Sequence, residues 1–283
     1  MKILNMRNAI FMLALGALSM NSSAQKINTP APSPLQKLTQ AFGLGEVTVE
    51  YSRPVAKGRT IFGEVVPMDK IWRTGANGAT KITFTDVVSF EGKEVKPGTY
   101  SIYTIPHEGS CEVMLYSDLT LGGSVADYDE KNEVLRVKVA SNKIPIRLES
   151  FTILIDEVLP TSANLILAWE NTSIIVKLST DIDTRVSKSI EESMKSKTPE
   201  YYKAAAYYYD NGKDLKQALT WIDKAIESSP KAFWMTLLKA RIEYGLGDTK
   251  AGKATAEKTI KMAEEAKNGD YVRMAKELMA KGK

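Results

Sequence analysis

The 283-residue chain has one cysteine and one histidine. A single thiol excludes disulfide frameworks within the chain and Cys-rich zinc sites. A lone imidazole leaves little room for His-based catalysis or His-ligated metals. An excess of one charge is also lacking. Lys and Arg number 38 against 34 Asp and Glu, a formal net charge of +4. That is too small for a protein that works by neutralising phosphates, so no nucleic-acid partner is expected. Long apolar runs are missing beyond the extreme N-terminus, which excludes a polytopic membrane protein. The chain has no glycine-rich phosphate loop, serine-nucleophile elbow, zincin motif or dinucleotide fingerprint. No cofactor and no metal are expected.

What is present is ordinary for a folded protein: 43% hydrophobic and 25% charged residues. Residues 1–24 read as a secretory signal peptide, with Lys2 and Arg7 ahead of a short apolar run and Ser22-Ser23-Ala24 at the cleavage position. Cys111 lies far downstream, so there is no lipobox cysteine to acylate. The expected location is exported, periplasmic or extracellular, with no membrane span after cleavage. Residues 25–34 read as an extended leader.

From residue 35 to 180 the apolar period is two. Val47, Val49 and Tyr51 alternate with polar residues, as do Ile82 and Phe84, Tyr100 and Ile102, and Val113 and Leu115. Leu135, Val137 and Val139 follow, then Phe151, Ile153 and Ile155, then Leu165 to Trp169, then Ile174 and Val176. With Val88 to Phe90 this makes about nine short strands separated by turn signals, which predicts a jelly-roll-like antiparallel β-sandwich. From 181 to 283 the period becomes 3.6, which predicts a helical domain. Tyr202, Ala205, Ala206 and Tyr209 share one face, and Leu215, Ala218, Ile222 and Ala225 form the next stripe before Pro230. The segment Lys197 to Pro230 resembles one tetratricopeptide repeat. A degenerate copy follows through Trp234, Leu237, Ala240, Gly252 and Ala256, then a capping helix over about 270–280. A protein partner docked by the helices is expected, with Tyr207 and Tyr208 as candidate contacts, since tyrosines not facing the neighbouring helix form an exposed aromatic patch.

The densest unusual segment is Tyr51 to Thr80, where Arg53, Lys57, Arg59, Trp72, Arg73 and Asn77 lie between two strands. Guanidinium forks suit carboxylate or phosphate oxygens, and an indole supplies a stacking wall. Two readings stand. In one, these residues line a pocket for a small anionic or polyhydroxylated ligand, such as a glycan fragment. In the other, they brace a long loop, pairing with Glu50, Glu64 or Asp69. The same segment carries Tyr-Ser-Arg-Pro at 51–54, Ile-Phe-Gly at 61–63 and Trp-Arg-Thr-Gly-Ala-Asn at 72–77. With Pro-Gly-Thr-Tyr at 97–100 these motifs resemble the exported bacterial family catalogued as domain of unknown function 2911, over about residues 33–178. The resemblance implies secretion and supplies no catalytic residue.

His107 at a hairpin tip is expected to be solvated, and Cys111 to be a buried or half-buried thiol. The acids from Asp127 to Glu133 are expected to form a polar hairpin rather than a calcium site, since the EF-hand glycine is missing. The overall expectation is an exported, non-catalytic binding or scaffolding protein. A carboxylate-based hydrolase of the cell envelope and a purely structural envelope protein are the alternatives.

Overall fold

A computed structural model describes residues 28–121 and 123–282. Residues 1–24, read from the sequence as a signal peptide, lie outside the described residues. The chain divides into two compact units after Thr180.

The first unit is one antiparallel sheet of nine strands: β1 (Leu35–Phe42), β2 (Gly45–Ser52), β3 (Ala76–Phe84), β4 (Val88–Phe90), β5 (Lys93–Val95), β6 (Gly98–His107), β7 (Ser110–Tyr116), β8 (Glu133–Asp156) and β9 (Ser162–Ser179). Their order across the sheet is β1-β2-β3-β6-β7-β8-β9-β4-β5. The sheet folds over itself through β8, whose first half pairs with β7 and whose second half pairs with β9. Inward residues of both layers therefore meet in one core, where Val49, Ile82, Ile102 and Val113 face Ile153, Leu165, Trp169 and Leu178. Each such side chain contributes about 1.5–3 kcal/mol by leaving water.

Sequence alternation locates most of these strands but divides them differently. β8 and β9 each read as two strands, because residues 142, 143 and 145–147 are all exposed and Glu170 has a positive φ of 50°. The β8–β9 register also shifts between Lys143 and Leu148 and again before Thr152. β1 and β5 are missed. Leu35 in β1 is 70% exposed, and β5 has only three residues.

A strap of residues 53–75, almost without regular structure, joins β2 to β3 and lies along β8. Ala56 N donates to Glu149 O (2.8 Å) and Phe151 N to Pro54 O (2.9 Å). Further along, Trp72 and Thr104 exchange backbone bonds of 2.8 and 2.9 Å. Ordered loops of this length are uncommon and are usually functional.

The second unit holds six helices: α1 (Asp183–Met194), α2 (Tyr201–Asp210), α3 (Leu215–Ser228), α4 (Phe233–Gly245), α5 (Thr249–Glu265) and α6 (Gly269–Lys281). Asp214 caps α3 by accepting from Lys216 N and Gln217 N, Asp248 caps α5, and Asn268 caps α6. Each cap is worth about 1 kcal/mol. The 3.6-residue stripe of α3 buries Ala218, Ile222 and Ala225 against Ala205 of α2 and Leu238 and Ile242 of α4. Gly252 permits close approach, since a Cβ there would sit 2.7 Å from the Tyr244 ring. Trp234 departs from its expected face: Leu237 and Ala240 are buried while Trp234 is 39% exposed. Among the described residues no helix is long and apolar enough to cross a membrane.

Candidate functional site

The strap closes on itself around Trp72. The indole packs edge-on to Phe151 (5.1 Å) and stacks on buried Trp169 (6.1 Å). On one side of this pair lies a cleft of about 370 Å³ whose lining includes Arg59, Ile71, Trp72, Arg73, Val125 and Trp169. Its lining contains no Asp or Glu. Three of the six candidate residues thus meet at one place. Arg53, Lys57 and Asn77 do not line it.

Their own bonds explain the division. Arg53 is spent on β8, donating from Nε to Phe151 O (3.0 Å) and from a terminal nitrogen to Thr152 Oγ1 (2.9 Å). It staples the strap to the second layer. Lys57 is exposed, and only its backbone N is held, by Glu149 Oε1 at 2.7 Å. Asn77 adopts a φ of 60° and donates to Ser52 Oγ (3.1 Å) and Ser33 O (3.3 Å). Arg59 gives two donors to the carbonyls of Ala56 (2.9 Å) and Val55 (2.8 Å). Arg73 gives one to Gly123 O (3.0 Å), and its Nε–H is buried without a partner. A guanidinium has five donors, so both cleft arginines keep unspent ones.

The expected braces to Glu50, Glu64 and Asp69 are replaced by carbonyl contacts. Glu50 pairs with Lys37 (3.0 Å) and Asp69 with His107 (2.5 Å). The reason is geometric: Glu50 points off the open face of β2, while Asp69 follows the strap past the β6–β7 hairpin. Arg53, Arg59 and Arg73 make no ion pair among the described residues.

Backbone strain concentrates beside the cleft. Thr74 is fully buried and β-branched, yet has a φ of 57°. Such a residue costs on the order of 1–3 kcal/mol unless its surroundings dictate it. Here its hydroxyl meets Thr104 Oγ1 (3.1 Å), and its carbonyl accepts from the Thr80 hydroxyl. The loop after β7 completes the wall. A Cβ on Gly123 would run into the Asn77 carbonyl oxygen. Gly123→Ala is therefore expected to push this loop from Arg73 and cost about 1–3 kcal/mol, the usual penalty of overpacking. Urea unfolding of the variant checks this, and an unchanged midpoint would show that the loop yields freely.

His107 is not simply solvated. Its side chain is 26% exposed, with Nδ1 on Asp69 Oδ1 and Nε2 3.3 Å from Glu112 Oε1. The latter contact is too poorly aligned to satisfy Nε2 as a hydrogen bond. From Glu112 the chain of contacts continues to Arg136 (3.0 Å), to Glu133 (2.5 Å) and to the Tyr128 hydroxyl (2.9 Å). This network escaped sequence reading. Its one available signal was the outward position of Glu112 and Arg136 on adjacent strands. The acidic stretch 127–133 lies, as expected, in a polar hairpin connection, the long loop between antiparallel β7 and β8; it passes through one 3-10 turn (Glu130–Asn132), and Arg136 gathers Glu130 and Glu133. Cys111 is buried, and burial pushes its thiol up to about 12, so it stays protonated at neutral pH. No group of His, Cys, Asp and Glu suited to a metal occurs among the described residues.

In the helical unit Tyr207 and Tyr208 are half-buried. The Tyr207 hydroxyl donates to Asp183 (2.8 Å), and burial with that bond pushes it up to about 12. Tyr208 packs edge-on to Trp221 (4.7 Å).

Fold and site together define a class: an antiparallel β-sandwich whose long interstrand strap carries an acid-free arginine–tryptophan cleft. The chain belongs to the family described as protein of unknown function (DUF2911), whose model matches residues 33–178. The match takes in the strap and the cleft. No curated protein matches the chain.

Proposed function

We propose that the protein is an exported binding protein whose β unit takes a small organic anion, carboxylated or phosphorylated, at the Arg59–Trp72–Arg73 cleft. The supporting observation is charge without compensation: two guanidinium groups line a concave site that contains no carboxylate. Cationic clefts of this kind concentrate anions, and a planar fork favours bidentate oxygens. Trp72 offers its face to the apolar or sugar portion of such a ligand. In this reading the strained Thr74 turn is retained because it orients Arg73. The helical unit, tetratricopeptide-like in the spacing of its small residues, serves to dock a protein partner. The hydrolase alternative draws no comparable support, because Asp69 is committed to His107 and Glu64 does not line the cleft.

The test is a thermal-shift and calorimetric screen of the chain lacking residues 1–24 against sugar phosphates, uronic acids and peptidoglycan fragments. At least one anion is expected to raise the melting temperature, with binding that weakens as salt increases. Arg73→Ala is expected to weaken it about tenfold or more, the usual value of a charge-assisted bond. Undiminished binding in that variant would move the site elsewhere, and a screen with no anionic hit would overturn the reading.

A further inference from the structure

Another pocket in the β unit is distinct from the arginine cleft. It measures about 590 Å³ and opens at the β6–β7 hairpin tip, where its rim includes His107, Glu108, Ser141, Asn142, Lys143 and Thr172. Phe62, Pro106, Ser141 and Thr172 also line a second, inner recess of about 40 Å³. The recess is walled chiefly by Trp72, Phe151, Leu167, Trp169 and Ile174. A polar pocket therefore adjoins a small, mostly apolar one. This pairing differs in chemistry from the cleft on the other side of Trp72.

The groups at the mouth divide into spent and unspent. Glu170 is held by Arg147 (3.1 Å), Asn171 donates to Ile144 O (3.4 Å), and His107 is fixed between Asp69 and Glu112. The side chains of Glu108, Asn142 and Lys143 are exposed and make no hydrogen bond or ion pair among the described residues. Ser141 N donates to Gly109 O (3.1 Å), which places Glu108, next to Gly109, and Lys143, two residues past Ser141, on facing segments just beyond that bond. The mouth thus offers one free carboxylate, one free ammonium and a free amide. Charges of both signs, unpaired and flanking one opening, complement a zwitterion better than a sugar or a simple anion. The recess sets the size. A water needs about 10–15 Å³ on the same measure, so the space takes roughly three non-hydrogen groups, the size of an isopropyl group.

We infer that this pocket binds an aliphatic α-amino acid of valine size. Its ammonium faces Glu108, its carboxylate faces Lys143 and its side chain enters the recess beside Trp72 and Trp169. A benzyl side chain is too large, and a hydrogen leaves the recess empty.

Calorimetric titration of the chain lacking residues 1–24 tests this directly. Saturable L-valine binding is expected. Glycine should bind about 50-fold more weakly, the value of three unburied carbons, and phenylalanine should be rejected. N-acetylvaline, which lacks the ammonium, and valinamide, which lacks the carboxylate, should each lose affinity. Glu108→Gln and Lys143→Met are surface changes that leave the fold intact, and each should weaken valine binding about fivefold, as partly exposed charge contacts do. Arg73→Ala should leave valine binding unchanged, which separates this site from the anion cleft. The inference is overturned if valine shows no saturable binding at millimolar concentration, if valine and glycine bind alike, or if N-acetylvaline binds as well as valine. It is also overturned if neither charge variant weakens binding.

Discussion

Trp169→Ala is expected to destabilise the β unit by about 3–5 kcal/mol, the range for truncating a large buried aromatic. Trp169 is 1% exposed, stacks on Trp72, packs on Phe151 at 5.7 Å and donates from its indole nitrogen to Glu149 O (3.2 Å). Losing it removes the surface against which the strap closes. A domain of this size keeps only about 5–15 kcal/mol of stability in total, so the variant should fold but melt on the order of 10 °C lower. Both pockets flanking Trp72 share Trp169 as a wall, so ligand binding at either should fall with stability. Denaturant unfolding followed by tryptophan fluorescence and far-UV circular dichroism measures the loss. A cost under about 1 kcal/mol would mean that the strap is held by its backbone bonds alone.

The second large effect is expected at Arg136, which holds Glu112, Glu130 and Glu133 at 2.5–3.3 Å. Burial pushes the Glu133 carboxyl up, but hydrogen bonds from Arg136 and Tyr128 and the attraction of the Arg136 charge outweigh it. The group therefore sits below the ordinary carboxylate range. A depressed folded-state value stabilises the protein above the unfolded value, about 4.3 for Glu, and that stability is lost as pH falls through the folded value. Arg136→Met leaves Glu133, whose side chain is only 12% exposed, charged and without its cation. Breaking a fully buried pair costs about 3–5 kcal/mol, and the partial exposure of Arg136 reduces this to about 2 kcal/mol at neutral pH. As pH falls below the unfolded value the difference should shrink, because protonating Glu133 removes the unpaired charge. Urea melts of both proteins across pH 4–7 check the sign. A pH-independent difference would assign the loss to packing of the Arg136 stem.

How far these sites were legible depends on what fixes each residue. Alternation at Val47, Val49 and Tyr51 locates β2, because one buried face imposes a period of two. It fails in the middle of β8, where exposed residues such as Ile146 erase the pattern, and at β1, an edge strand with Leu35 in solvent. The arginines of the strap are conspicuous as a cluster in sequence. Their roles are not, since Arg53 and Arg73 belong to the same loop yet one is consumed by Phe151 and Thr152 while the other reaches the cleft.

The sequence by itself determined the change from strands to helices near residue 181, the stripe that buries Ala218, Ile222 and Ala225, and the family. Periodicity and short motifs are local, and each depends on residues a few positions apart. The tertiary structure alone decided that Arg59 and Arg73 share an acid-free cleft, that His107 sits between Asp69 and Glu112, and that a recess lies behind Glu108 and Lys143. Those arrangements join residues tens of positions apart in the chain. They follow from the folding of β8 between two layers and the path of the strap over them, which no local pattern encodes.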